Sequence, residues 1–115
     1  MGDSRGGSLA GARPPAHFAV EVHDETGSGQ VVRMSGELDL AGEDYVRYVL
    51  HQVRGRRVVI DLAGLDFIDA RGVAAILGAR DRVAANGGEL ALRGARGVVR
   101  RVFGLLELDA LLESA

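Results

Sequence analysis

The order of apolar and polar positions predicts strands that alternate with helices. Phe18, Val20 and Val22 alternate with other residues, which is the period of a half-buried strand. The run QVVRMSG follows after the turn-forming residues TGSG, so these two segments are predicted to pair as a β-hairpin. A continuous apolar run at 57–62, within RRVVIDLAG, is typical of a buried strand, and ELALRG predicts a last strand.

Three further segments have the apolar period of helices. The first is expected to follow Asp39 as its N-cap, and the second to follow Asp69 as its N-cap and to end at the NGG of 86–88. The third lies within ARGVVRRVFGLLEL. The positions expected to face the core are Val46, Val49, Leu50 and Val53 in the first helix, Val73, Ile76, Leu77 and Val83 in the second, and Val98, Val99, Val102, Phe103 and Leu106 in the third.

The resulting order, β-β-α-β-α-β-α, predicts a single α/β domain with a mixed sheet of four to five strands flanked by helices. Ligands of such sheets gather at the carboxyl ends of parallel strands, and the strand at 57–62 leads to Asp69 at that edge. Residues 1–16 are rich in Gly, Ser, Ala, Arg and Pro and have no apolar period. They predict a flexible tail, which leaves 17–115 for the folded domain.

Composition disfavours several classes of function. The net charge is −2 and only 4% of the residues are aromatic, so a nucleic-acid binder, which usually has a basic excess, is not expected. The chain has no cysteine and three scattered histidines, and it lacks the glycine-rich phosphate-binding motif. We therefore expect no catalytic residue, cofactor or metal. Apolar runs such as GVAAILGA are too short to span a bilayer, so we expect a cytoplasmic protein without membrane insertion.

Two motifs, in this order and spacing, resemble one known family. GELDL at 36–40 and VVIDLAGLDFIDARGVAAIL at 58–77 are similar to the motifs of the STAS domain, in particular of the small anti-sigma-factor antagonists of bacteria. The resemblance covers the chain from about His17 onward. It implies a STAS-like fold and a protein-interaction module without enzymatic activity. It also implies a cytoplasmic partner, an anti-sigma factor of the histidine-kinase-like ATPase type.

The chain departs from this family at the regulatory position. The family motif reads D-S-S-G or D-S-T-G, and the anti-sigma factor, a serine kinase, phosphorylates the second hydroxyl residue and thereby releases the antagonist. Asp69 and Gly72 match this motif, but Ala70 and Arg71 occupy the two hydroxyl positions. Arginine cannot accept a phosphoryl group, so the usual switch is predicted to be absent. A cation in the first turn of a helix is also opposed by the helix dipole.

Two interpretations of Arg71 remain open. It is either a solvated residue left after loss of the switch, or part of a partner-binding surface. The second interpretation is favoured because arginine is over-represented at interface hot spots. It predicts a surface that comprises Asp39, Asp69, Ala70, Arg71 and Gly72, in which Asp39 or Asp69 pairs with Arg71. Such a chain would either bind its anti-sigma factor constitutively or, if Arg71 clashes with the kinase, act as a scaffold or decoy for another partner.

The residues of this predicted surface are also compatible with purely structural roles. Asp39 and Asp69 could serve only as helix N-caps, and Gly72 could serve only packing. A substitute phosphorylation site at Ser28 or Ser35 is disfavoured because neither precedes a predicted helix. STAS-like domains also serve as non-switching accessory subunits of membrane transport systems, including lipid transporters, which is the alternative function. Small-molecule sensing has no residue-level support, and a homodimer is compatible with the sequence.

Overall fold

The described part of the chain is organised around a four-stranded mixed sheet. In the computed structural model the described residues are 17–25, 27, 29–53 and 56–113, so the predicted tail at 1–16 and Ser28 lie outside them. The strands lie side by side in the order β1-β2-β3-β4. Their bounds are Phe18–Asp24 for β1, Gly29–Leu38 for β2, Arg57–Ile68 for β3 and Glu89–Arg93 for β4.

Within the described ranges, three α-helices and two 3₁₀ turns connect and follow these strands. The helices are α1 (Glu43–Gln52), α2 (Ala70–Ala85) and α3 (Gly97–Leu105), and the 3₁₀ turns are Leu40–Gly42 and Asp109–Glu113. The predicted element order is thereby confirmed. None of these helices combines the length and the apolar composition that a bilayer span requires.

Strand pairing follows the predicted topology. β1 and β2 form the antiparallel hairpin, and β3 runs parallel to both β2 and β4. The apolar residues of the inner sheet face and of the helices form one core cluster. Its largest fully buried members are Phe103, Met34, Leu38, Ile60, Leu62, Leu65, Ile68, Ile76 and Leu92.

β3 is longer than the sequence pattern predicted. The strand was expected to end near residue 62, but it continues to Ile68. Its register against β2 shifts between Arg33 and Ser35 and again between Gly36 and Glu37. Because each shift changes which residues face the core, Leu62, Leu65 and Ile68 are buried at intervals of three rather than two. For this reason the alternation of apolar and polar residues did not predict the second half of β3.

The predicted N-cap and end of the second helix are confirmed in α2, whereas the predicted N-cap of the first helix, α1, is wrong. Asp69 is the N-cap of α2, which ends at Ala85 before Asn86 and Gly87, whose φ is +85°. α1 begins at Glu43 after the 3₁₀ turn, and its N-cap is Gly42 rather than Asp39. Asp39 instead accepts a hydrogen bond from the backbone N–H of Ala41 at 3.1 Å, so its carboxylate caps the 3₁₀ turn.

The predicted inner face of α3 is correct in part. Val99 and Phe103 are fully buried and Val102 is half-buried, but Val98 and Leu106 are exposed. α3 has only nine residues, and residues four apart on one narrow side of it enter the core. Val98 lies off that side and Leu106 lies past the last helical residue, which leaves both in solvent.

Candidate partner-binding surface

The carboxyl ends of β2 and β3 bring Asp39 and Asp69 to one edge of the sheet. Leu38 and Ile68, the last residues of these parallel strands, are register partners. The backbone N–H of Asp69 donates a hydrogen bond to the carbonyl oxygen of Leu38 at 3.1 Å. The segments that lead into α1 and α2 therefore leave the sheet side by side, at the edge where the sequence predicted the site.

Asp69 has a defined structural role at this edge. One of its carboxylate oxygens accepts a hydrogen bond from the backbone N–H of Gly72 at 3.0 Å, and its carbonyl oxygen accepts one from Val73 at 3.1 Å. The side chain thus satisfies one of the free N–H groups of the first turn of α2. Its charge also interacts favourably with the positive end of the helix dipole.

Gly72 lets the first turn of α2 pack directly on the two strand ends. It is buried, and a β-carbon at this position would lie 2.9 Å from both Leu38 Cγ and Ile68 Cγ1. Both of those side chains are fully buried, so neither can move away without cost. The preceding residues, Ala70 and Arg71, are exposed on the outer side of the same turn.

Arg71 pairs with a carboxylate that the sequence did not single out. Its Nη1 donates a hydrogen bond to Glu43 Oε1 at 3.4 Å. The expected partners of Arg71 were Asp39 and Asp69, but Asp39 caps the 3₁₀ turn and Asp69 caps α2. From the sequence, Glu43 is recognisable only as an acidic residue that suits the first turn of a helix. The predicted surface already joined Asp39 to the start of α2, but nothing in the sequence signals that Glu43, rather than Asp39, comes within reach of Arg71.

Glu43 is held by two arginines. Arg47, one turn further along α1, donates to Glu43 Oε2 from Nη2 at 2.9 Å and from Nε at 3.2 Å. The Glu43 side chain is only 16% exposed, whereas that of Arg71 is 64% exposed. The hydrogen bonds from Arg47 lower the pKa of Glu43 below its ordinary value, partial burial opposes that effect, and Arg71 adds a smaller lowering. Glu43 is therefore ionised at neutral pH and offsets the cations at this edge.

We define the helix-start surface as Asp39, Glu43, Arg47 and residues 69–72. It contains ion pairs and an exposed guanidinium, but within the described ranges no three His, Asp or Glu side chains are grouped in a way that could hold a metal ion. It is an exposed, charged surface around a closely packed helix start. Ser35, one of the two alternative phosphorylation sites, is exposed in β2.

Comparisons with known proteins agree with this architecture. A family model described as STAS domain matches residues 17–114. An anti-sigma F factor antagonist from Paenibacillus polymyxa is 34% identical over 87 residues, which cover 72% of this chain and 72% of the relative.

Solved structures extend the comparison to the fold. The anti-sigma factor antagonist SpoIIAA in its unphosphorylated form aligns with a TM-score of 0.72 at 26% identity, over 84% of this chain and 88% of that chain. A sulfate transporter family protein from Wolinella succinogenes aligns with a TM-score of 0.62 at 18% identity, over 74% of this chain and 72% of that chain, and shares the fold alone. The STAS-like fold predicted from the sequence is confirmed.

Proposed function

The chain belongs to the STAS family, and we propose that it is an anti-sigma-factor antagonist that regulates transcription through protein binding. Its partner in this proposal is a cytoplasmic anti-sigma factor of the serine-kinase type, which the antagonist sequesters so that a sigma factor is released. The chain acts as a binding module and performs no catalysis of its own.

The observation that carries the proposal is the joined start of α1 and α2. The pairing of Leu38 with Ile68 fixes the two strand ends, and the close packing of Gly72 on both fixes α2 above them. The backbone at Arg71 is therefore ordered before binding, so the conformational freedom lost on binding is mainly that of its exposed side chain. Arginine is one of the residue types that dominate interface energies. A backbone that is ordered before binding also lowers the entropy cost of association.

Arg71 makes binding independent of phosphorylation at this position. In the family the anti-sigma factor phosphorylates the hydroxyl residue that stands here, and the added charge breaks the interface. Arg71 offers no acceptor oxygen, so bound kinase and ATP leave the chain unmodified at this residue. The complex then persists until the abundance of one partner changes.

A binding experiment with a mass readout tests this proposal. The full chain is mixed with each anti-sigma kinase of its own genome, with and without ATP and Mg²⁺, and binding is followed by calorimetry. The expected result is that wild type binds one kinase equally with and without ATP and gains no phosphoryl mass. Arg71→Ser is expected to bind the same kinase, gain one phosphoryl group and be released in ATP.

Arg80→Ser is the matched control, because Arg80 is an exposed arginine further along α2 and well away from the helix-start surface. Arg80→Ser should bind the same kinase as wild type, with and without ATP and Mg²⁺, and should gain no phosphoryl mass. If neither wild type nor Arg71→Ser binds any kinase, the proposal is wrong. Recovery of a transporter ATPase with the chain in a membrane fraction would then favour the accessory-subunit function instead.

A further inference from the structure

The free edge of β1 carries backbone hydrogen-bonding groups that none of the described strands uses. β1 is the first strand of the sheet and pairs with β2 alone among the described strands. The Glu37 N–H donates to the His17 carbonyl at 2.8 Å, and the Glu25 N–H donates to the Gly29 carbonyl at 2.9 Å. Because hydrogen-bonded pairs alternate in an antiparallel ladder, the odd-numbered residues of β1 bond to β2. The backbone groups of the even-numbered residues therefore point away from β2; these residues are Phe18, Val20, Val22 and Asp24.

This edge lacks the features that usually prevent one sheet edge from pairing with another. The seven residues of β1, FAVEVHD, include no proline and no lysine, and their register against β2 has no bulge. Every side chain from Ala19 to Asp24 is exposed or half-buried, so the described elements leave this part of the strand uncovered. The edge is therefore able to accept a further strand.

Apolar side chains line the helix side of the same edge. Successive strand residues point to opposite faces, so Val20 and Val22 share the face of the buried Phe18. The Phe18 ring meets the Tyr45 ring edge-on, with the ring centres 6.3 Å apart, so α1 packs against the start of β1. Val22, further along the strand, is 42% exposed. A strand added at this edge would cover Val22 and gain free energy from that burial.

We propose that β1 pairs antiparallel with β1 of a second copy of the chain, which joins the two sheets into one continuous sheet. The twofold axis passes between Val22 and Val22 of the second copy, and Val20 faces the second copy's Asp24. These residues have the outward-pointing backbone groups, so each facing pair forms two backbone hydrogen bonds. The axis repeats every contact, as a closed dimer requires.

Charge complementarity on the outer face favours a second copy as the added strand. In this register Glu21 stands opposite His23 of the second copy, and His23 stands opposite its Glu21. Side chains directly opposite each other have β-carbons about 4.5–5.5 Å apart, closer than the roughly 6.5 Å between alternate residues of one strand. The two side chains already meet within one chain, with 3.2 Å between His23 Nε2 and Glu21 Oε1. The dimer offers each of them a nearer partner of the same chemistry.

Neighbouring registers do not give this complementarity. The outward groups meet only where even-numbered residues face even-numbered ones, so the register changes in steps of two. One step places Glu21 opposite the second copy's Glu21, and the opposite step places it opposite the second copy's Glu25. Like charges directly opposite each other are destabilising. A further step places Glu21 opposite Ala19, which offers its carboxylate no partner.

The least favourable pair in the proposed register is Val20 with Asp24 of the second copy. The Asp24 carboxylate is already held towards β2, because the Gln30 side chain donates to it at 2.8 Å. Since one strand edge buries less surface than a standard interface, the dimer is weak, with a dissociation constant in the micromolar range or above.

Sedimentation equilibrium and amide hydrogen exchange of the full chain test the proposal together. From about 10 µM to about 1 mM, wild type should shift from monomer towards dimer. Over the same range the amides of Val20 and Val22 should exchange about threefold more slowly or better, whereas those of Glu21 and His23, bonded to β2, should be protected throughout.

Three results of these measurements would overturn the proposal. The first is a wild type that remains monomeric throughout. The second is a dimer in which the amides of Val20 and Val22 stay unprotected, since that dimer uses another surface. The third is protection of these two amides that does not depend on concentration, since the added strand then belongs to the same chain.

Val22→Pro removes the outward N–H at the centre of the proposed interface. That N–H does not bond to β2, and proline is tolerated on an edge strand where the missing N–H faces solvent. Association should be lost while circular dichroism stays native. A dimer that tolerates Val22→Pro would contradict the proposed pairing.

A charge exchange tests the register without proline. His23→Glu sets two pairs of like charges opposite each other and should raise the dissociation constant by about tenfold or more. The double variant Glu21→His/His23→Glu recreates both pairs in reverse and should return it to within about threefold of wild type. Ala84→Glu, at an exposed position of α2, adds a carboxylate away from the edge and should leave association unchanged. Failure of the double variant to recover would exclude this register.

Discussion

Glu43 and Arg71 join the first turns of two neighbouring helices, although they lie 28 positions apart in the chain. Glu43 stands at the start of α1, where its charge is favourable, and Arg71 stands in the first turn of α2, where its charge is not. Their contact at 3.4 Å places a carboxylate beside the unfavourable cation. The same Glu43 binds Arg47 more closely, at 2.9 Å, so Arg71 can leave for a partner while Glu43 stays neutralised.

Removing the charge of Glu43 should reduce stability in a pH-dependent way. The pKa of Glu43 is lowered in the folded state, so its ionised form stabilises the fold above the ordinary pKa of 4.5. This contribution is lost as pH falls through the lower folded-state value. The free energies of unfolding of wild type and Glu43→Gln, measured by urea denaturation, should therefore differ at pH 7, and the difference should shrink as the pH falls below 4.5. A difference of the same size at pH 7 and well below pH 4.5 would contradict the assignment.

A methyl group at Gly72 should destabilise the protein, whereas one at Gly78 should not. Gly72→Ala forces a β-carbon to within 2.9 Å of Leu38 and Ile68, and we expect a loss of about 1–3 kcal/mol. Gly78 lies on the same helix with nothing within 4 Å of an added β-carbon. Gly78→Ala should therefore stabilise by about 0.5–1 kcal/mol through helix propensity. Chemical denaturation measures both, and equal effects would show that packing at Gly72 is not the cause.

The capping role of Asp69 should be separable from any role in binding. Asp69→Ala should cost about 1 kcal/mol, because the Gly72 N–H loses its acceptor. Asp69→Asn keeps a capping oxygen and should retain nearly all the stability while removing the charge. If Asp69→Asn nevertheless loses affinity for the anti-sigma factor in calorimetry, the carboxylate charge contacts the partner. If Asp69→Asn is as unstable as Asp69→Ala, the stability at this position comes from charge rather than from the cap.

Replacing Glu107 with glycine should stabilise the folded protein. Glycine adopts the positive φ of this position without the strain of a β-carbon, and part of that gain is offset by its greater freedom in the unfolded chain. The net gain in stability expected for Glu107→Gly is about 0.5–1 kcal/mol, measured by thermal and urea denaturation. Glu107→Ala keeps the strain and serves as the control for loss of the carboxylate alone. If Glu107→Ala is stabilised by the same amount, the gain comes from removing the carboxylate charge and not from relieving the backbone strain.

Local interactions explain why much of the architecture could be predicted from the sequence. The β1–β2 hairpin, the start of α2 at Asp69 and its end before Gly87 each depend on residues within a few positions of one another. Turn residues, caps and apolar periods report such interactions directly. The departure at Arg71 is likewise a property of the sequence, since the absence of a hydroxyl needs no structure to establish.

Contacts between segments that are distant in the sequence could be established only from the tertiary structure. β3 extends to Ile68 because β2 continues beside it through two register shifts, which alternation within β3 does not reveal. Arg71 finds Glu43 rather than Asp39 because the packing of α1 against α2 sets which carboxylate is within reach. The exposure of Val98 depends on how narrowly α3 contacts the sheet. The sequence determined where elements begin and what chemistry they carry, while packing decided which of those groups touch.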